Sequence, residues 1–448
     1  MPRPDRRRTS RPPARRGGRA AGRPVRAEQA SVPPEHQAEI ELDVTGVAHG
    51  GVFVARHEGR VVFVSDTMPG ERVLARVSDT RHERFWRAET VRVLAASEHR
   101  RPHVWQACDV ERDPAERAGG AEFGHIELSH QRELKHRVIA DAFARMAGID
   151  DAPVVEALPG DDERNGTRWR TRVRLQVDEH GNVGPYAARS HRVVPVDELP
   201  LAIEAVERAA PLGTLQTSGG TIDVAVTSEG FTTVTKRDAA GGMGRHPQLV
   251  HERVGDRRFA LASTGFWQVH RKAPQTLTRA VQDAVDDSLF DPRAFNLDLY
   301  GGVGLLAAAV GDRFGPTTRI TSVEADEDTT DHAASNLAEW LGAQTVTARV
   351  EDYLRELTAK SSAGERARLR NATVVLDPPR SGAGRDVVDL LTAFAPAQLV
   401  YVACDPVALA RDLSWLTERG YELRGSRAFD LFANTHHVEV VASLVRSE

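Results

Sequence analysis

The side chains able to do chemistry gather in the last 180 or so residues, each at the end of a short apolar run. Residues 372–376 are apolar, partly β-branched and unalternating, and they end in Asp377-Pro378-Pro379-Arg380-Ser381-Gly382. Such a run reads as a buried parallel strand, and the prolines fix an extended exit from it. Open α/β sheets hold ligands at the carboxyl ends of their strands, so an acid there is a candidate site residue. Asp298-Leu299-Tyr300-Gly301-Gly302-Val303-Gly304 marks a second such edge, with glycines that let the backbone turn tightly beside a ligand. Glu324 closes the next strand twenty residues after Gly304, where a carboxylate can hold ribose hydroxyls. The glycine spacing departs from the dinucleotide pattern and lacks the Lys-Ser/Thr of a phosphate cradle. That favours an adenosine without a phosphate chain, hence S-adenosylmethionine over NAD or ATP; a plain tight turn with a surface acid is the competing reading.

Cys404 ends a further apolar run, Tyr401-Val402-Ala403-Cys404-Asp405-Pro406, just before a helix whose N-terminus can favour a thiolate. A cysteine is commonly a small buried hydrophobe. A nucleophile beside a methyl donor is not needed to methylate nitrogen or oxygen, but it is needed to methylate a pyrimidine carbon. Attack at C6 makes C5 nucleophilic, and a base must then remove the C5 proton. Thr435-His436-His437-Val438-Glu439 opens the last strand, and if that strand runs antiparallel its start lies beside the other carboxyl ends. Glu439 is then the candidate base, against a plain surface acid. Adjacent strand residues point to opposite faces, which counts against a metal site of His436, His437 and Glu439.

These residues need a sheet to hold them. Strands at 295–300, 319–324, 345–350, 373–377 and 399–404 alternate with helices near 305–312, 328–341, 385–394 and 407–419, giving a doubly wound parallel sheet. Strands at 423–429 and 437–445 follow. Residues 38–96 instead hold five short alternating strands, the pattern of a small closed barrel of OB type, with Arg76, Arg81, Arg84, Phe85 and Trp86 available for phosphates and stacking. The stretch 98–265 reads as mixed α+β, with a helix at 128–146, strands at 168–177 and 183–196, and another pair at 222–226 and 231–235. His125, His130 and His136 have no cysteine or carboxylate at metal-ligand spacing and read as satisfied or surface side chains.

The 448 residues, 40% hydrophobic and 27% charged, suit two to four soluble domains. No apolar run approaches the roughly 18 residues of a membrane span, and the first thirty residues lack the apolar core of a secretory signal. Cys108 and Cys404 are the two cysteines, which excludes a disulfide framework and points to the cytoplasm. Residues 1–30 carry ten arginines against Asp5 and Glu28, about +8, leaving about −13 for the rest of a chain of formal charge −5. Residues 1–36, rich in Arg, Pro and Gly, are expected to be a disordered basic tail, either an aid to RNA binding or simply solvated. Lys135, Lys236, Lys272 and Lys360 are the only lysines among 59 basic residues, a bias that suits phosphate forks but that genome composition also produces.

Together, Phe266-Trp267-Gln268-Val269, the glycine loop at 298–304, Asp377-Pro378-Pro379-Arg380-Ser381-Gly382, Cys404-Asp405-Pro406 and Thr435-His436-His437-Val438-Glu439 resemble the S-adenosylmethionine-dependent RNA uracil-5-methyltransferase family. The barrel resembles the TRAM domain that many members carry. The resemblance implies a class I Rossmann-like methyltransferase domain at 266–448, a TRAM OB-like barrel at 37–97 and a central RNA-facing α+β domain at 98–265. It implies Cys404 as nucleophile, Glu439 as base, and Gln268, Tyr300, Glu324, Asp352 and Asp377 around S-adenosylmethionine. The expected product is 5-methyluridine in structured RNA, transfer or ribosomal, made by a cytoplasmic monomer with no membrane segment and no metal.

Three positions depart from the family pattern. Ala118-Gly119-Gly120-Ala121 stands where many members have cysteines for an iron–sulfur cluster, so no cluster is expected. Asp405 replaces an asparagine that often follows the nucleophile, and Leu305 replaces a polar residue after the glycine loop. The rival readings are an RNA cytosine-5-methyltransferase, which would want a cysteine where Arg380 follows Pro379, and a non-catalytic RNA-binding protein on a methyltransferase scaffold.

Overall fold

The structure, a computed structural model, describes residues 37–447 apart from 83, 189, 218 and 244–246. The basic tail expected at 1–36 lies outside the described residues. Strands β1 (Glu39–Ala48), β2 (Val52–His57), β3 (Arg60–Ser65), β4 (Arg72–Asp79) and β5 (Phe85–Ala95) close a barrel in the order β1-β2-β3-β5-β4. Alternation drives the closure: Leu42, Val44, Phe53, Ala55, Val62, Val64, Val73 and Ala75 all turn inward and are buried. The β1–β2 turn needs the positive φ of Gly50 (86°) and Gly51 (73°).

Helix α1 (Leu128–Ala142) ends in a π turn, and β6 (Val155–Glu156) follows. Next come β7 (Arg172–Val177), β8 (Val183–Gly184), α2 (Glu204–Ala209), β9 (Thr221–Val226) and β10 (Thr232–Arg237), whose strands form a sheet ordered β10-β9-β7-β8. The strand expected at 183–196 shrinks to two residues. Pro185 and Pro195 cannot donate to a ladder, and Gly184 lies so close to Val194 that a Cβ would sit 1.8 Å from its carbonyl oxygen. An unforeseen hairpin, β11 (Leu249–Val254) and β12 (Arg257–Ala262), completes this part.

The remainder runs α3 (Ala273–Ala284), β13 (Asn296–Leu299), α4 (Leu305–Phe314), β14 (Ile320–Glu324), α5 (Glu327–Asn336), β15 (Ala343–Thr347), α6 (Val350–Lys360), α7 (Ala363–Arg370), β16 (Thr373–Leu376), α8 (Arg385–Ala393), β17 (Gln398–Ala403), α9 (Pro406–Glu418), β18 (Tyr421–Phe429) and β19 (Glu439–Arg446). One eight-stranded sheet is ordered β15-β14-β13-β16-β17-β19-β18-β6. Its first five strands are parallel, and β19 inserts antiparallel between β17 and β18. Burial explains the unalternating sequences: all four residues of β16 and all six of β17 are buried, with helices covering both faces. The strand expected at 345–350 ends at Thr347, and Val350 opens α6 instead. β6, from the stretch assigned to the central region, is the edge strand of this sheet beside β18. Among the described residues no helix is long and apolar enough to cross a membrane.

Candidate active site

Strand register assembles the site. Leu299 pairs with Val323 and with Leu376, so the next residues, Tyr300, Glu324 and Asp377, leave the sheet side by side at its carboxyl edge. Leu376 pairs with Tyr401, and on the other side of β17 Ala403 pairs with Val440. One further step along that antiparallel register sets Cys404 opposite Glu439, with Cα atoms about 5 Å apart and both side chains on one face. Asp377 falls level with Val402, two residues from the thiol and on the same side of the pleat.

The electrostatics match this crowding. Burial pushes the Cys404 thiol up to about 12, the Glu439 and Asp377 carboxylates push it the same way, and Arg380 acts against them. Burial and the nearby acids thus oppose the help that a helix N-terminus can give a thiolate. Asp405 occupies that N-terminus, its Oδ1 accepting from Val407 N (3.0 Å) and Ala408 N (2.9 Å), so the first donors of α9 are spent on the cap. Asp377 is pushed up to about 7 by burial and by Asp298, and Asp298 reaches about 7 through its own burial. Glu439 is 2% exposed and raised well above the usual carboxylate range by burial first and Asp377 second.

Several side chains lock these positions. Asp298 Oδ2 accepts from Ser322 Oγ (3.1 Å) and Ala307 N (3.2 Å), while its Oδ1 is buried without a partner among the described residues. Glu324 accepts from Gly302 N (3.1 Å) and Asp326 N (3.0 Å), which ties the second strand's acid to the glycine loop. Tyr300 holds a positive φ of 62°, rare outside glycine. The turn after Asp377 is fixed by Asp412, whose Oδ2 accepts from Ala383 N (2.7 Å) and Tyr401 OH (2.7 Å). A Cβ on Gly382, at φ 77°, would meet that oxygen at 2.5 Å. Buried acids with an orphaned oxygen, next to a carboxylate at a strand end, fit a ligand that carries a positive charge and hydroxyls.

Gln268 is half-buried in the segment after β12, and its neighbour Val269 accepts from Thr171 N (2.8 Å). Asp352 does not join the group. It is 62% exposed on the outer side of α6 and pairs with Arg355 at 2.7 Å. Because β15 ends early, residue 352 is already in the helix, and it is Glu351, 29% exposed, whose charge reaches Tyr300.

A cavity of about 150 Å³ opens onto the thiol, lined by Cys404, Arg380, His437, Lys135 and the barrel turn at His49 and Gly51. His437 Nε2 accepts from Arg380 (3.4 Å), and burial lowers the ring to about 3, so it is neutral. Lys135 is buried against Asp430 (2.5 Å) and donates to the Phe432 carbonyl (3.2 Å). Asn434, at φ 67°, donates from Nδ2 to the Asn165 (3.0 Å) and Gly166 (2.7 Å) carbonyls and exchanges two bonds with the Gln131 amide. These residues aim the loop that delivers His437 and Glu439, and sequence reasoning passed over them. A glutamine and a lysine one turn apart on the buried face of α1, and an asparagine ahead of Thr435-His436-His437, were the available signals. Among the described residues no group of three or more His, Cys, Asp or Glu is arranged to hold a metal.

Comparison with known proteins gives a consistent picture. Residues 293–447 match the tRNA (uracil-5-)-methyltransferase family model, and residues 35–91 match the TRAM domain model. An uncharacterized RNA methyltransferase of Streptomyces avermitilis is 36% identical, the match covering 91% of this chain and 98% of the relative. The 23S rRNA (uracil(1939)-C(5))-methyltransferase RlmD of Halomonas elongata is 30% identical, over 95% of this chain and 94% of the relative. The structure of the Pyrococcus abyssi tRNA (uracil-54, C5)-methyltransferase in complex with S-adenosyl-L-homocysteine superposes with a TM-score of 0.64 and 19% identity, covering 91% of this chain and all of that one.

Proposed function

This chain belongs to the RNA uracil-5-methyltransferase family with an N-terminal TRAM domain, and from that membership we propose that it methylates C5 of a uridine in structured RNA through a covalent bond from Cys404 to C6. The supporting observation is the register that sets Cys404 opposite Glu439 with Asp377 on the same face. The relative acting on 23S rRNA, similar along nearly its whole length, favours ribosomal over transfer RNA as substrate.

When bound, S-adenosylmethionine supplies an electrophilic methyl group on a sulfonium. Tyr300, Glu324 and Asp377 would hold it, with Glu324 toward the ribose and the carboxyls at 298 and 377 toward the positive charge; Gln268 is proposed beside them. The target uridine leaves its stack to reach the cavity beside Arg380 and His437. Cys404, its proton released to solvent, adds to C6 as the thiolate, and the C5–C6 π electrons move toward C5 and O4. With the methyl group on C5, Glu439 takes the C5 proton, the double bond re-forms and the C6–S bond breaks, returning the sulfur. Glu439 must be in its carboxylate form when it acts, and burial then makes it a stronger base than a solvated carboxylate.

Cys404→Ala is expected to abolish tritium release from 5-tritiated uridine RNA, while Glu439→Gln accumulates protein covalently joined to RNA and resolvable on a denaturing gel. Full methylation by Cys404→Ala would end the assignment. Calorimetry with S-adenosylmethionine separates this reading from a non-catalytic scaffold, which would neither bind it nor release tritium. Nucleoside mass spectrometry on RNA from a deletion strain, mapped to position, names the uridine.

A further inference from the structure

The cavity at Cys404 is not built by the methyltransferase domain alone. Its outer wall is the turn between β1 and β2, at residues 48–51, more than 350 positions away along the chain. Two contacts hold that turn in place. His49 Nε2 donates to Asp405 Oδ2 at 2.9 Å. Gly51 packs so closely on His436 that a Cβ would lie 2.8 Å from Nδ1, which only glycine allows. The hydrogen bond to Asp405 raises His49 above the ordinary imidazole value, and Asp405 is lowered, so the pair favours its charged form.

Asp405 divides its two oxygens between two tasks. Oδ1 caps α9 through Val407 N and Ala408 N, and Oδ2 takes the proton of His49. The residue beside the nucleophile is thereby clamped between its own helix and the barrel. Any displacement of the barrel turn pulls on the backbone that carries the sulfur, and misplacing a nucleophile by about 1 Å can cost on the order of a hundredfold in rate. Resting on the covalent reading above, we infer that the β1–β2 turn forms one wall of the uracil pocket and that His49, acting through Asp405, is a positioning residue for Cys404. The barrel then has a part in the reaction itself, apart from holding RNA.

The test uses the full-length protein, S-adenosylmethionine and total RNA from a deletion strain grown with 5-fluorouracil, in which fluorine at C5 cannot be removed as a proton and the adduct is trapped. The maximal rate of adduct formation and the RNA concentration at half that rate are read separately. His49→Ala is expected to lower the maximal rate at least about tenfold while shifting half-saturation less than about twofold. His49→Gln, which keeps an N–H for Asp405, is expected to recover most of the rate. His49 is 45% exposed, so neither change should disturb folding, and a thermal melt checks this. A His49→Ala protein with an unchanged maximal rate, or with only its half-saturation altered, overturns the inference and leaves the turn as plain RNA-binding surface. If the parent protein itself forms no adduct, while binding S-adenosylmethionine, the covalent reading fails and carries this one down with it.

Discussion

Burial and three neighbouring acids, Glu439, Asp377 and Asp405, all favour the protonated thiol of Cys404. That state makes chemical sense in a site that must not alkylate or oxidise between turnovers. Ionisation then depends on bringing positive charge to the edge, and the raised carboxyls at Asp298 and Asp377 are placed to respond to it. The same raised values have a consequence for folding. An acid at about 7 in the folded state and near 4 in the unfolded chain stabilises the fold below about pH 4, and that contribution is lost as pH rises to about 7. Asp377→Asn cannot ionise, so it should gain on the parent protein across that window, by up to about 1.4 kcal/mol per pH unit, and hold a constant margin above it. His103, His125 and His437 are buried neutral and titrate the opposite way, but they do so in both proteins and cancel in the difference. Paired thermal melts from pH 4 to pH 8 read the margin; one that shrinks with rising pH would contradict the burial argument. Bound S-adenosylmethionine, by adding a cation, should narrow it.

At the scale of elements, the loop between β18 and β19 decides where Glu439 points. Asn434 holds it in a left-handed turn, fully buried, with Gln131 on α1 and the backbone at 165–166 as partners. Asn434→Ala leaves those groups unpaired and puts a Cβ residue at φ 67° without its compensating bonds, at a cost of about 2–4 kcal/mol. Urea denaturation measures the loss, and tritium release should fall while protein covalently joined to RNA builds up, because the misplaced base acts after the C6–S bond has formed. Such a residue is hard to see from sequence, since an asparagine in a turn is common and its partners lie some 300 positions earlier. What could be read was local. The barrel's alternation, the buried runs of β16 and β17 and the proline and glycine stops each carry their own signal, and Glu439 could be placed at the edge once the last strand was taken to run antiparallel. Of the elements not foreseen, β6 lacked such a signal, being two residues long and a strand only because β18 lies beside it. Others carried one: α3 buries Ala273, Leu277, Ala280 and Val281 at helical spacing, and β11 alternates buried Val250, Glu252 and Val254 with more open neighbours. Asp352 came from the resemblance alone; in the structure it pairs with Arg355, and Glu351 is the acid on α6 whose charge reaches Tyr300.

Across the whole molecule, α1 is the strut that makes barrel and sheet one body. Leu134, with Phe123 and Ile126 just before the helix, belongs to the barrel's core, while Ile139, Ala142 and Phe143 belong to the core of the large sheet. Between them Gln131 and Lys135 grip Asn434 and Asp430. Polar ties fasten the barrel to the segment that leads into α1: Arg100 pairs with buried Glu71 at 2.6 Å, and Arg117 with Asp66 at 2.7 Å. A barrel fastened this way cannot unfold alone without opening apolar surface on the methyltransferase side, so heating should produce one calorimetric transition for the described body. Leu134→Ala should shift that transition down as a unit, by about 2–5 kcal/mol for a fully buried leucine, and should slow adduct formation because the turn at His49 rides on the barrel. A low-temperature transition that separates from the main one in Leu134→Ala but leaves donor binding intact would show the barrel to be an independent module, and the pocket at Cys404 would then have to be closed by the RNA.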